Sequence, residues 1–119
     1  MIDYHVHSTY SADGMSSPRE FVHAAQELNL KEIGFAEHVD LDPDLRGFNF
    51  LDFPGYWRTL EELREPESVT IRCGLEVGYQ PHLEGSIRRY VSEKDCDFII
   101  GSIHELNGIS MNQDFLTEF

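Results

Sequence analysis

No run of apolar residues in this sequence approaches the ~20 needed to cross a bilayer as a helix, so no membrane association is expected. Cysteine is scarce. Cys73 and Cys96 sit in apolar runs without paired spacing, which argues against a disulfide framework and reads as buried, reduced thiols of a cytoplasmic protein. Met1 to His5 hold no basic region followed by an apolar stretch, so no signal peptide is expected. Basic residues are few: 9 Lys plus Arg stand against 22 Asp plus Glu, for a formal charge of -13. That balance disfavours nucleic acid, whose phosphates call for a basic face. It leaves a small phosphorylated substrate open, provided metal ions supply positive charge locally. A Gly-rich phosphate cradle, a Ser-centred elbow and a Cys-His nucleophile pair are also missing, so hydrolytic chemistry would rest on metal-activated water.

What remains is enough for one packed domain over residues 1–119, with 40% hydrophobic and 26% charged residues. Residues 2–7 read as a strand ending at His5-Val6-His7. Ser17-Pro18-Arg19-Glu20 opens a helix: Ser17 can cap it, Pro18 suits its first position and Glu20 completes a capping box. Phe21, Ala24, Ala25 and Leu28 give that helix an apolar stripe, and Asn29 lies near its end. Ile33 to Ala36 reads as a second strand ending at Glu37-His38, and residues 39–54 as a long loop of the kind that usually carries function. A helix over Tyr56–Leu63, a strand over Val69–Leu75 ending at Glu76, a helix over His82–Val91 and a strand over Cys96–Ser102 follow. His104 comes next, and Asp114 to Phe119 reads as the start of another helix. This β-α-β-α-β-α-β order implies an α/β fold with a parallel sheet, either open and doubly wound or closed as a barrel.

The chemistry lies in the positions. Each strand delivers a metal-ligand residue type at or just after its C-terminal end: His5 and His7, then His38, then Glu76, then His104. That rim is where parallel α/β folds build their sites. Two residues apart on a strand, His5 and His7 point the same way and can share an ion. Asp13, in the loop after His7, can add a carboxylate or simply make a turn with Gly14; the two readings are compatible. The donors are nitrogen and oxygen without thiolate, which suits zinc, manganese or iron(II) in a reactive site. His23 reads as a surface residue, His82 as surface or substrate-contacting, and Arg88 and Arg89 as an outer helix face. Phe48, Phe50, Phe53, Tyr56 and Trp57 read as an aromatic cluster packing the long loop.

These segments resemble the four motifs of the polymerase-and-histidinol-phosphatase (PHP) family. Asp3-Tyr4-His5-Val6-His7-Ser8-Thr9-Tyr10-Ser11 with Asp13-Gly14 is similar to the first, and Ala36-Glu37-His38 to the second. Gly74-Leu75-Glu76-Val77-Gly78-Tyr79 is similar to the third, and Asp97 to His104 to the fourth. The last two look most similar to PHP-type histidinol-phosphatases of histidine biosynthesis. The resemblance implies a distorted (βα)7, TIM-like barrel, of which this chain would supply about four strands as its first half. It implies two or three divalent ions (Zn, Mn or Fe) and hydrolysis of L-histidinol phosphate to L-histidinol and phosphate. Carried over by motif, His5 and His7 bind a first ion and Glu76 bridges two. Asp13 and His38 serve a further ion, and His104 a second or shared one. No catalytic residue beyond these ligands is expected.

The family's C-terminal His, Asp-X-His motif and phosphate-gripping basic residues have no counterpart here. A barrel of this class needs about 200 residues or more. A fragment or shortened gene product is therefore expected, inactive alone and prone to self-association through open sheet edges. The competing expectations are a PHP phosphoesterase acting on nucleotides or DNA ends, and a non-catalytic metal-binding or interaction module.

Overall fold

The order of strands in space follows their order in the chain. A computed structural model describes residues 2–103, 105–106 and 109–110. β1 (Ile2–Val6), β2 (Glu32–Val39), β3 (Thr70–Gly78) and β4 (Phe98–Ser102) form one parallel sheet in the order β1-β2-β3-β4. A doubly wound sheet reverses direction at a switch point, whereas a barrel adds each strand beside the last. Among the described strands, only the second pattern occurs. Glu105–Leu106 and Ile109–Ser110 make a short antiparallel pair, β5 and β6. His104 and the segment Asp114 to Phe119 lie outside the described residues.

β2 and β3 are the central strands, and their burial is nearly continuous, as expected for parallel strands covered on both faces. Phe35, Leu75 and Leu60 are fully buried, each contributing roughly 1.5–3 kcal/mol by transfer from water. The helix α1 (Pro18–Glu27) starts as its sequence dictates. The Ser17 hydroxyl accepts from the Glu20 N–H, and the Glu20 carboxylate accepts from the Ser17 N–H, both at 3.2 Å. Its buried stripe differs from the expected one. Val22 and Ala25 face the core, while Ala24 is exposed and Leu28 is 71% exposed, because the helix ends at Glu27 and the chain turns through a left-handed Asn29 (φ 57°).

α2 (Phe53–Leu63) begins three residues before the expected Tyr56, since the Asp52 side chain caps it by accepting from the Gly55 N–H at 3.1 Å. Its buried residues are Tyr56 and Leu60. Tyr56 fastens the helix to the sheet: its hydroxyl lies 2.8 Å from the Gly74 carbonyl and 3.2 Å from that of Phe35, and accepts from the Gly74 N–H at 3.1 Å. The aromatic cluster is only partly realised. Phe53 packs on Tyr56, whereas Phe48, Phe50 and Trp57 are exposed. The third helix is split into a 3-10 turn, Pro81–Leu83, and α3 (Glu84–Ser92). No helix among the described residues is long and apolar enough to cross a membrane.

Candidate metal centre

The β2–β3 register makes His38 and Glu76 direct Cα partners, so one parallel ladder brings two of the candidate ligands together. The His38 Nδ1 lies 2.7 Å from Glu76 Oε2. From β1, the His5 Nε2 reaches Glu76 Oε1 at 2.8 Å, and His7, just past the strand, places Nε2 3.8 Å from Glu76 Oε2. The His7 and His38 rings stack at 4.1 Å between centroids, and those of His5 and His7 meet edge-on at 4.9 Å. Three imidazoles thus surround one buried carboxylate.

The charges follow. Burial favours the neutral acid at Glu76, but His38, His7 and His5 outweigh it and hold the carboxyl down at about 2. Burial also works against a charged His38, yet Glu76, Asp13 and Asp40 prevail and raise its pKa. His7 goes the other way: burial and then the neighbouring His38 lower it.

Asp13 is held near by a folded loop. Its Oδ2 lies 3.3 Å from His38 Nε2. The loop turns back through Ser11 N–H to Ser8 carbonyl (2.9 Å) and Gly14 N–H to Ser11 carbonyl (3.0 Å). Beneath it lies Glu37, fully buried on the strand between Ala36 and His38. Its carboxylate accepts from the Ser8 N–H (2.7 Å), the Ser8 hydroxyl and the Ser11 hydroxyl (3.1 Å). Burial pushes the Glu37 carboxyl up, against the pull of these hydrogen bonds.

Of the six residues expected as ligands, the structure brings His5, His7, Asp13, His38 and Glu76 into one cluster, and His104 lies outside the described residues. His23 is exposed and pairs with Glu27 at 3.2 Å, His82 is exposed, and Arg88 pairs with Glu84 at 2.9 Å. Sequence reasoning gave Glu37 no role. The signal was there: an acid inside an apolar strand, with two serines in the loop it must face.

The residues fit a divalent ion on three grounds. One donor atom each from His5, His7 and Glu76 lie within 4.8 Å of one another. Glu76 Oε2 is buried without a hydrogen bond in good geometry among the described residues, despite its short approach to His38. The His7 Nδ1 sits 2.6 Å from the Ala36 carbonyl, which only accepts, so the ring proton is on Nδ1 and the Nε2 lone pair faces the cluster.

Comparison with known proteins places this geometry. The PHP domain profile matches residues 3–118. A histidinol-phosphatase of Lactococcus lactis subsp. lactis (strain IL1403) is 34% identical over 113 residues, 92% of this chain and 41% of that protein. A probable histidinol-phosphatase of Clostridium acetobutylicum is 27% identical over 93% of this chain and 42% of its own length. The crystal structure of the L. lactis histidinol phosphate phosphatase, complexed with Zn, L-histidinol and phosphate, superimposes with a TM-score of 0.84 at 33% identity, covering 92% of this chain and 42% of that one. This chain therefore spans less than half the length of these relatives, and its parallel βα units correspond to part of a TIM-like barrel.

Proposed function

The chain belongs to the PHP domain family, and on that premise we propose that it forms the metal-binding part of a phosphoric monoester hydrolase of the histidinol-phosphatase type, acting in histidine biosynthesis. The observation that carries this reading is the convergence of His5, His7 and His38 on Glu76. His5, His7 and Glu76 hold one divalent ion, Zn, Mn or Fe(II). Asp13 and His38 would hold a second ion beside it. His104 joins them on the strength of its motif alone. Such ions, when bound, acidify a water and neutralise phosphoryl oxygens.

The protein's own groups set the stage for that chemistry. The Ala36 carbonyl fixes the His7 tautomer, and the strand register fixes His38 against Glu76. The substrate is the phosphate ester of a small amino alcohol, L-histidinol phosphate. A nucleic-acid substrate is disfavoured by the net charge of -13. A cytoplasmic location and self-association through sheet edges belong to the same proposal.

The test is phosphate release from L-histidinol phosphate, with manganese or zinc, by the longest polypeptide carrying these residues. Turnover abolished by Glu76→Ala supports the reading. Release from nucleotides or DNA 3′ ends but not from histidinol phosphate would replace it.

A further inference from the structure

Glu37 is a carboxylate with no exposed surface, and among the described residues all three side-chain hydrogen bonds to it come from the loop that carries Asp13. Successive strand residues face opposite sides of a sheet, so Glu37 faces away from its neighbour His38 and Glu76. The connection to the site runs through Ser11. Its hydroxyl donates to Glu37 and accepts from the His38 N–H at 2.9 Å. Ser8 and Ser11 are themselves buried, and the Tyr10 N–H adds a bond to the Ser8 hydroxyl at 3.2 Å. The Asp13 side chain, by contrast, is 63% exposed, and among the described residues its one ion pair is the 3.3 Å approach to His38. Left to itself, such a side chain would range over many rotamers. What limits it is the loop backbone, and Glu37 holds that backbone.

We infer that Glu37 is a positioning residue: it clamps the Ser8–Gly14 loop onto β2 and thereby sets Asp13 against His38 without touching an ion. Removing the clamp leaves the Ser8 N–H and two hydroxyls without their buried acceptor. The loop then loosens, and Asp13 with it. His5 and Glu76 are placed by β1 and β3, and His7, though next to Ser8, is held separately by its 2.6 Å bond to the Ala36 carbonyl, so these three depend less on the clamp than Asp13 does. The consequence for ion binding rests on the metal-centre reading above. The placement of Asp13 does not.

The test uses the full chain and four variants: Glu37→Ala, Glu37→Gln, Asp13→Ala and the Glu37→Ala/Asp13→Ala double variant. In the metal-free state, nitrogen-15 shifts of the His38 ring report the Asp13 contact. Glu37→Ala is expected to move them as far as Asp13→Ala does, and the double variant no further. Glu37→Gln keeps an oxygen for the Ser8 N–H and the Ser11 hydroxyl, so it is expected to stay near the original shifts. With manganese added, Glu37→Ala should weaken one ion by about 10–100-fold, the usual range for a lost outer partner, and Asp13→Ala, which removes a donor itself, should weaken the same ion at least as much. The ion on His5, His7 and Glu76 should keep its affinity within about twofold. If Glu37→Ala does not fold, Ser11→Ala removes the strut alone and is expected to give the same pattern. Unchanged His38 shifts, additive effects in the double variant, or equal weakening of both ions would overturn the inference. Should the unmodified chain bind no manganese while the His38 shifts behave as stated, the metal reading falls and the clamp stands.

Discussion

The His38 Nδ1 lies 2.7 Å from Glu76 Oε2, and these two residues are direct partners in the parallel register of β2 and β3. The heart of the site is therefore set by sheet pairing. A one-residue slip would send the His38 side chain to the opposite face. Site and sheet should fail together on unfolding, whereas the Asp13 loop can be lost separately.

Tyr56→Phe tests the sheet. The hydroxyl is fully buried and bonds the backbone of Gly74 and Phe35. Deleting it removes the buried hydroxyl partner of the Gly74 N–H and of two carbonyls, at a cost of about 1–3 kcal/mol. Urea titration should show a lower midpoint with an unchanged slope.

Gly14→Ala tests the loop. A Cβ there would stand 1.7 Å from the Ser8 carbonyl oxygen, backbone that cannot swing aside. The loop must move, so the variant is expected to lose the ion that Asp13 serves while the sheet survives. Manganese titration followed by electron paramagnetic resonance, beside far-ultraviolet circular dichroism, reads both. Full manganese binding would refute the placement of Asp13.

The His38 ring tests the electrostatics. Its folded pKa is raised above 6.5, so its contribution is fully present below 6.5 and lost as pH rises through the raised value. In the metal-free protein, the stability difference from His38→Gln should be larger at about pH 6 than at about pH 8. With manganese the order should reverse, since an ion needs the unprotonated ring. Thermal melts at the two pH values decide it.

Much of this site was legible because strand ends are legible. An apolar run followed by His or Glu marks a position at the C-terminal rim of a parallel sheet, and the first three such runs bring His5, His7, His38 and Glu76 together there; His104, after the fourth, lies outside the described residues. The parallel α/β fold followed from the same alternation. Other features were hidden for local reasons. Residues 39–54 read as one long loop, which masked a helix that Asp52 starts at Phe53. Leu28 matched helical spacing, but the helix ends one residue before it. Glu37 stood in the sequence only as the neighbour of His38; the acid inside an apolar strand was visible, but that Ser8 and Ser11 cover it depends on how the loop folds. Spacing could not show whether Asp13 reaches the cluster, because that depends on how the loop after His7 closes.

The most direct measurement of the central claim is metal stoichiometry by inductively coupled plasma mass spectrometry on the purified chain and its Glu76→Ala variant. The account predicts at least one tightly held zinc, manganese or iron ion per chain, reduced sharply in the variant. No metal in either protein, or equal metal in both, would contradict it.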